Sequence, residues 1–99
     1  MRKIEIEMLN HLVAKMNYKN GNTEVQHHER DAMIYLHGNH IATVRTNGRW
    51  AEFSPRDIEV NVRTLLAYPT RTTMSRLRAL GVAVFQKNNR IYLDGEVIA

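Results

Sequence analysis

Between Val60 and Arg90 the chain carries six basic residues and no acid: Arg63, Arg71, Arg76, Arg78, Lys87 and Arg90. Five of them are arginines, whose planar fork of donors matches a phosphate or carboxylate and also stacks on bases and aromatic rings. On a helix, Arg71, Ser75 and Arg78 share a narrow stripe opposite Met74, Leu77 and Leu80, so the charge gathers into a ridge. Lys87 and Arg90 extend the same field if the hairpin turn between them lies alongside. Thr70, Thr72 and Thr73 add hydroxyls and a helix N-terminus at one end, and Tyr68, beside Pro69, stands at the entrance. The chemistry is anion binding, and a phosphate backbone is the partner that fits it. The same cations also read as a solvated face whose neutralising acids, Glu52, Asp57 and Glu59 among them, come from other elements.

Other residues that do chemistry elsewhere are less well placed here. His27-His28 and His37-x-x-His40 bring imidazoles together in sequence. Neighbours on a strand point to opposite faces, however, and the second pair lacks a third ligand, so turn and surface roles are expected rather than a metal site. There is no Gly-x-Ser-x-Gly elbow, no Gly-x-x-x-x-Gly-Lys loop and no His-Glu-x-x-His motif. Glu5/Glu7 and Asp57/Glu59 are spaced by two, but helix-start and solvated roles account for them. Trp50, Tyr18, Tyr68 and Tyr92 are the aromatics available for stacking, with the core as the default home of each. A binding protein is expected rather than an enzyme, with no cofactor.

The elements that must position these residues follow from periodicity. Ile4, Met8, Leu9, Leu12, Val13 and Met16 mark one apolar face of an N-terminal helix, with Glu5 and Glu7 in its first turn facing the positive end of the dipole. The run Asn17 to Asn22 supplies turn residues that end it. Short β-prone runs follow over Thr23–His28, Met33–His37, Ile41–Thr46 and Arg49–Phe53, an antiparallel meander with reversals at His37-Gly38-Asn39-His40 and Thr46-Asn47-Gly48. Ser54 to Tyr68 carries two signals. Ser54, Pro55 and Asp57 make a helix start, whereas Ile58, Val60 and Val62 alternate with polar residues, and the alternation favours a strand. A second short helix spans about Thr72 to Leu80 with Gly81 as its stop, and Val82–Lys87 with Arg90–Leu93 form a C-terminal β-hairpin ending at Asp94-Gly95. The fold class is α+β: an N-terminal helix, a mostly antiparallel sheet, a second short helix and a C-terminal hairpin in one compact domain, residues 1–99.

Composition agrees with a folded module. The 99 residues are 43% hydrophobic and 24% charged, with 14 Lys and Arg against 10 Asp and Glu for a net charge of +4. The absence of cysteine excludes disulfide frameworks, thiolate zinc sites and a cysteine nucleophile. No apolar run is long enough to span a bilayer or to form a signal-peptide core.

Three blocks carry a resemblance: Gly21-Asn22-Thr23-Glu24-Val25; Leu36-His37-Gly38-Asn39-His40-Ile41-Ala42; and Tyr68-Pro69-Thr70-Arg71-Thr72-Thr73-Met74-Ser75-Arg76-Leu77-Arg78-Ala79-Leu80. With Gln86-Lys87 and Tyr92-Leu93-Asp94-Gly95 in the closing hairpin, their order and spacing resemble a group of small tailed-phage proteins. The chain departs from that pattern at Tyr68, where tryptophan is usual, and at Arg78, where asparagine is common. The resemblance implies a phage accessory protein at work in the host cytoplasm and brings no catalytic set with it. The polar residues of the His-Gly-Asn turn read first as structural. For Arg76 and the threonines, structural and functional roles stay open.

The leading expectation is therefore a small phage protein that binds nucleic acid through Arg63, Tyr68, Arg71, Ser75, Arg76, Arg78, Lys87 and Arg90. The competing class is a host-directed inhibitor, an anti-CRISPR or other anti-defence protein, whose partner is a host protein or ribonucleoprotein. A virion component is a third class. A homodimer through an edge strand or the face of the first helix is left open, and no membrane partner is expected.

Overall fold

The computed structural model describes residues 1–99 and opens with helix α1 (Lys3–Val13). Met8 and Leu12, one helical turn apart, are fully buried, as the apolar stripe requires. Glu5 lies on the same face and is only 2% exposed, so the acid assigned to the helix dipole points into the protein. Met16, the last residue of the expected stripe, is outside the helix and exposed.

Five strands follow in an antiparallel meander: β1 (Tyr18–Asn20), β2 (Thr23–His27), β3 (Ala32–Leu36), β4 (Asn39–Val44) and β5 (Ile58–Val60), neighbours in sequence being neighbours in the sheet. Tyr18, Val25, Ile34, Ala42 and Val60 form one row across it. Val25, Ile34 and Ala42, at its centre, are fully buried. The β3–β4 reversal places His37 at φ 52° and Gly38 at φ 77°, the left-handed pair that a tight hairpin needs.

Three expectations are corrected in this part of the chain. The turn expected over Asn17–Asn22 contains β1, which pairs with β2 and confines the reversal to Gly21 and Asn22. Arg49–Phe53 is not a strand, because β5 already takes the free edge of β4; the segment instead makes a single 3-10 turn, Trp50–Glu52, that buries Trp50. The Ser54–Tyr68 segment is three elements rather than one. A capped turn at Pro55–Asp57 leads into β5, and Asn61 then starts helix α2 (Val62–Ala67) by accepting a hydrogen bond from the Thr64 amide at 3.1 Å. The alternation that suggested one strand runs a residue too far, since Val62 is the first residue of α2.

Helix α3 (Arg71–Ala79) is capped by Thr70. After it Gly81 takes φ 101°, with Pro55 so close that a Cβ there would meet its ring at 3.0 Å. The chain ends in a second, separate sheet of β6 (Val84–Lys87), β7 (Arg90–Leu93) and β8 (Glu96–Val97). The hairpin continues past its expected end because Asp94 and Gly95, both at positive φ, make another tight reversal. Helix α1 packs on β2 and α3, while α2 and α3 reach β4. A cluster of 17 buried apolar residues fills the space between these elements and the hairpin.

Candidate functional site

The outward stripe of α3 faces the β6–β7 hairpin across an open groove of about 600 Å³. Arg71, Ser75 and Arg78 come from α3, Phe85, Gln86 and Lys87 from β6, Asn88 and Asn89 from the turn, and Arg2 from the residue before α1. Four of these nine residues are cations and none is an acid. The turn is fixed by its own residues, since Asn88 and Asn89 sit at φ 52° and 61°, values asparagine tolerates better than most side chains. The Arg78 Nη1 donates to the Val84 carbonyl at 3.0 Å, tying α3 to β6 across the seam.

Of the acids expected to neutralise the ridge, Glu59 and Asp57 are paired with other cations, and Glu52 neither forms an ion pair nor lines the groove. Arg45 pairs with Glu59 at 2.6 Å and with Asp31 at 3.5 Å, and Arg49 pairs with Asp57 at 3.5 Å. Arg2, Arg71, Arg78 and Lys87 form no ion pair. Like charges held together without counter-charges make a local positive potential that an anion relieves.

Arg76 is the main correction to the expected ridge. It is 3% exposed and turns away from the groove, donating from Nη1 to the Glu5 carboxylate at 2.7 Å and from Nε to the Thr23 hydroxyl at 3.0 Å. Glu5 also accepts from the Ser75 hydroxyl at 2.6 Å and from the Arg2 amide at 3.1 Å. Burial by itself would raise the Glu5 carboxyl, but the bonds from Ser75, Arg2 and Arg76, with the charge of Arg76, outweigh it and hold the pKa below its ordinary 4.5. Ser75 thus lines the groove while its hydroxyl serves the buried pair beneath.

The remaining expected residues separate. Arg63 is exposed on α2 and Tyr68 is 51% exposed at its end, and neither lines the groove. Tyr68 instead borders a second hollow of about 270 Å³ with Leu36, His37, Asn39, Ile41, Thr64, Thr70 and Thr73. Thr70 and Thr73 are consumed by the helix start: Thr70 Oγ1 accepts from the Thr73 amide at 3.1 Å, and the two hydroxyls share a bond at 2.9 Å. Arg90 lies directly opposite Lys87 in the hairpin, on the same face but outside the groove wall. No three His, Asp or Glu side chains come together where they could hold a metal ion.

Arg2, Phe85, Gln86, Asn88 and Asn89 belong to the groove without having been expected there. For Phe85 the signal was present. With Val84 inward, period-two alternation turns Phe85 and Lys87 outward together, opposite Tyr92 and Arg90. The Phe85 ring is 44% exposed and stacks on Tyr92 with centroids 4.8 Å apart and planes 10° from parallel.

The family model for the Kyanoviridae Gp96 protein matches residues 1–99, so the chain belongs to that phage protein family. No curated protein and no solved structure matches it. No helix is long and apolar enough to cross a membrane.

Proposed function

We propose that this Kyanoviridae Gp96 family member is a binding protein, not an enzyme, that holds nucleic acid by its phosphates in the groove between α3 and the β6–β7 hairpin, inside the host cell. The observation that supports this reading is the groove wall itself, with four cations, no acid and no ion pair among them. Arg71 and Lys87 stand on opposing walls, Arg2 adds a third cation, and Arg78 retains donors beyond the one given to Val84. Affinity of this kind is dominated by counterion release, so it falls linearly in log–log form with salt and shows little sequence preference.

The test is a salt titration of binding to labelled oligonucleotides by fluorescence anisotropy. Arg71→Ala and Lys87→Ala are each expected to weaken binding across all sequences and to reduce the salt slope by roughly 0.7 to 0.9 per lost phosphate contact. Affinity that is flat in salt, or unchanged in both variants, overturns the reading.

A second reading rests on the aromatics. Arginine beside exposed Phe85 and half-buried Tyr92 is also the make-up of protein-interface anchors. On that reading the groove docks an acidic surface of a host defence protein or ribonucleoprotein, and the chain acts as an anti-defence inhibitor. A pull-down from host lysate separates the two: a stoichiometric host protein that survives nuclease treatment favours the second, whereas nucleic acid released by moderate salt favours the first.

A further inference from the structure

We infer that the nucleic acid is single-stranded and that one of its bases stacks on Phe85; this rests on the nucleic-acid reading of the groove. Phe85 is on β6, an edge strand of its sheet, and Tyr92 on the neighbouring strand covers one face of its ring at 4.8 Å. The ring is still 44% exposed and forms part of the groove wall. With one face stacked on Tyr92, Phe85 is the one hydrophobic residue lining the groove, in company with Arg71, Arg78 and Lys87. Exposing an aromatic ring to water among cations gains nothing for the fold, because neither the hairpin pairing nor the core requires its other face.

A base set against Phe85 would extend the Tyr92–Phe85 stack by one ring while its phosphates meet the cations. That combination of a stacking platform and a charged track is how strands are held without sequence preference, since every base offers a π face. A duplex cannot use it, because its internal bases already stack on one another. Asn88 and Asn89, at the end of the groove, offer amide donors and acceptors to a base edge or sugar.

The experiment compares labelled dT20, rU20 and a blunt 20-base-pair duplex against the wild type, Phe85→Leu, Phe85→Tyr and Lys87→Ala at one salt concentration and then across salt. Phe85→Leu keeps an apolar side chain and removes the π face. It is expected to weaken strand binding roughly 5- to 150-fold, the range seen for loss of one base–aromatic contact, with the salt slope unchanged, while Phe85→Tyr retains affinity. Lys87→Ala lowers the slope instead. Thermal unfolding of Phe85→Leu close to wild type separates loss of contact from loss of fold. Preference for dT20 over rU20, or the reverse, identifies the source of the strand, and binding of either strand that falls in Phe85→Leu and survives in Phe85→Tyr supports the inference. Duplex bound as tightly as strand, or Phe85→Leu binding like wild type, overturns this inference and leaves the groove reading intact. Absence of binding to all three ligands overturns both.

Discussion

Glu5 and Arg76 are each almost fully buried, and the desolvation cost of either charge is offset by the other, by the hydroxyls of Ser75 and Thr23 and, for Glu5, by the Arg2 amide. Removing one partner strands the other. Arg76→Ala is expected to cost about 3–5 kcal/mol, read as a lower urea midpoint, whereas Glu5→Leu with Arg76→Met is expected to cost much less than the sum of the single changes. The pH dependence has a fixed sign. Because the Glu5 pKa is held below 4.5, its stabilisation is complete above that value and is lost as pH falls through the folded pKa. His27, packed edge-on to Trp50, is lowered from 6.5 chiefly by burial, so its contribution is present above pH 6.5 and declines as pH falls further. Urea midpoints measured from pH 7 to pH 3 are expected to fall in two stages, the first beginning below pH 6.5 and absent in His27→Gln.

Helix α3 divides its surface between two tasks. Met74 and Leu77 enter the core, Arg76 bridges to α1 and β2, and Arg71 and Arg78 face the groove. The helix must therefore start at a fixed residue, since a shift of one position would rotate every side chain by about 100°. Thr70 sets that start. Thr70→Ala is expected to lower stability by about 1 kcal/mol, the usual value of such a cap, in urea unfolding. On the proposed binding it leaves the salt slope unchanged, because its hydroxyl is spent inside the helix start. An altered salt slope with unaltered stability would reassign this threonine to the phosphates.

Across the whole molecule three of the 14 Lys and Arg side chains are ion-paired and eleven are not, and four of those eleven gather in the groove. Arg45 and Arg49 are balanced by acids at one place, Arg76 is balanced internally, and the groove cations are left without partners. On the proposed binding, position counts for more than the net charge of +4. Arg63, exposed but outside the groove, supplies the test: Arg63→Ala and Lys87→Ala lower the net charge equally, yet only the second is expected to weaken oligonucleotide binding strongly. Equal losses in an anisotropy titration would mean a diffuse field rather than a built site.

Helix α1, the meander, α3 and the hairpin turn were legible because each rests on a local signal: apolar spacing, period-two alternation, or residues that accept positive φ. The cationic stripe was legible for the same reason, since the acid-free stretch and the Arg71–Ser75–Arg78 spacing need only a helix to become one surface. Even the buried pair left a trace. Glu5 shares the spacing of Met8 and Leu12, and Arg76 that of Thr73 and Leu80, the marks of an inward face. What lay outside the sequence is whatever depends on contacts between distant segments. Arg76 meets Glu5 across 71 positions, and Arg49–Phe53 loses its place in the sheet to β5, whose pairing with β4 starts from residues further along. Arg2 and Phe85 join one groove only because α1 packs on α3 and Arg78 ties α3 to β6. Short-range periodicity tells a residue which face of its own element it occupies; only tertiary packing decides what that face meets.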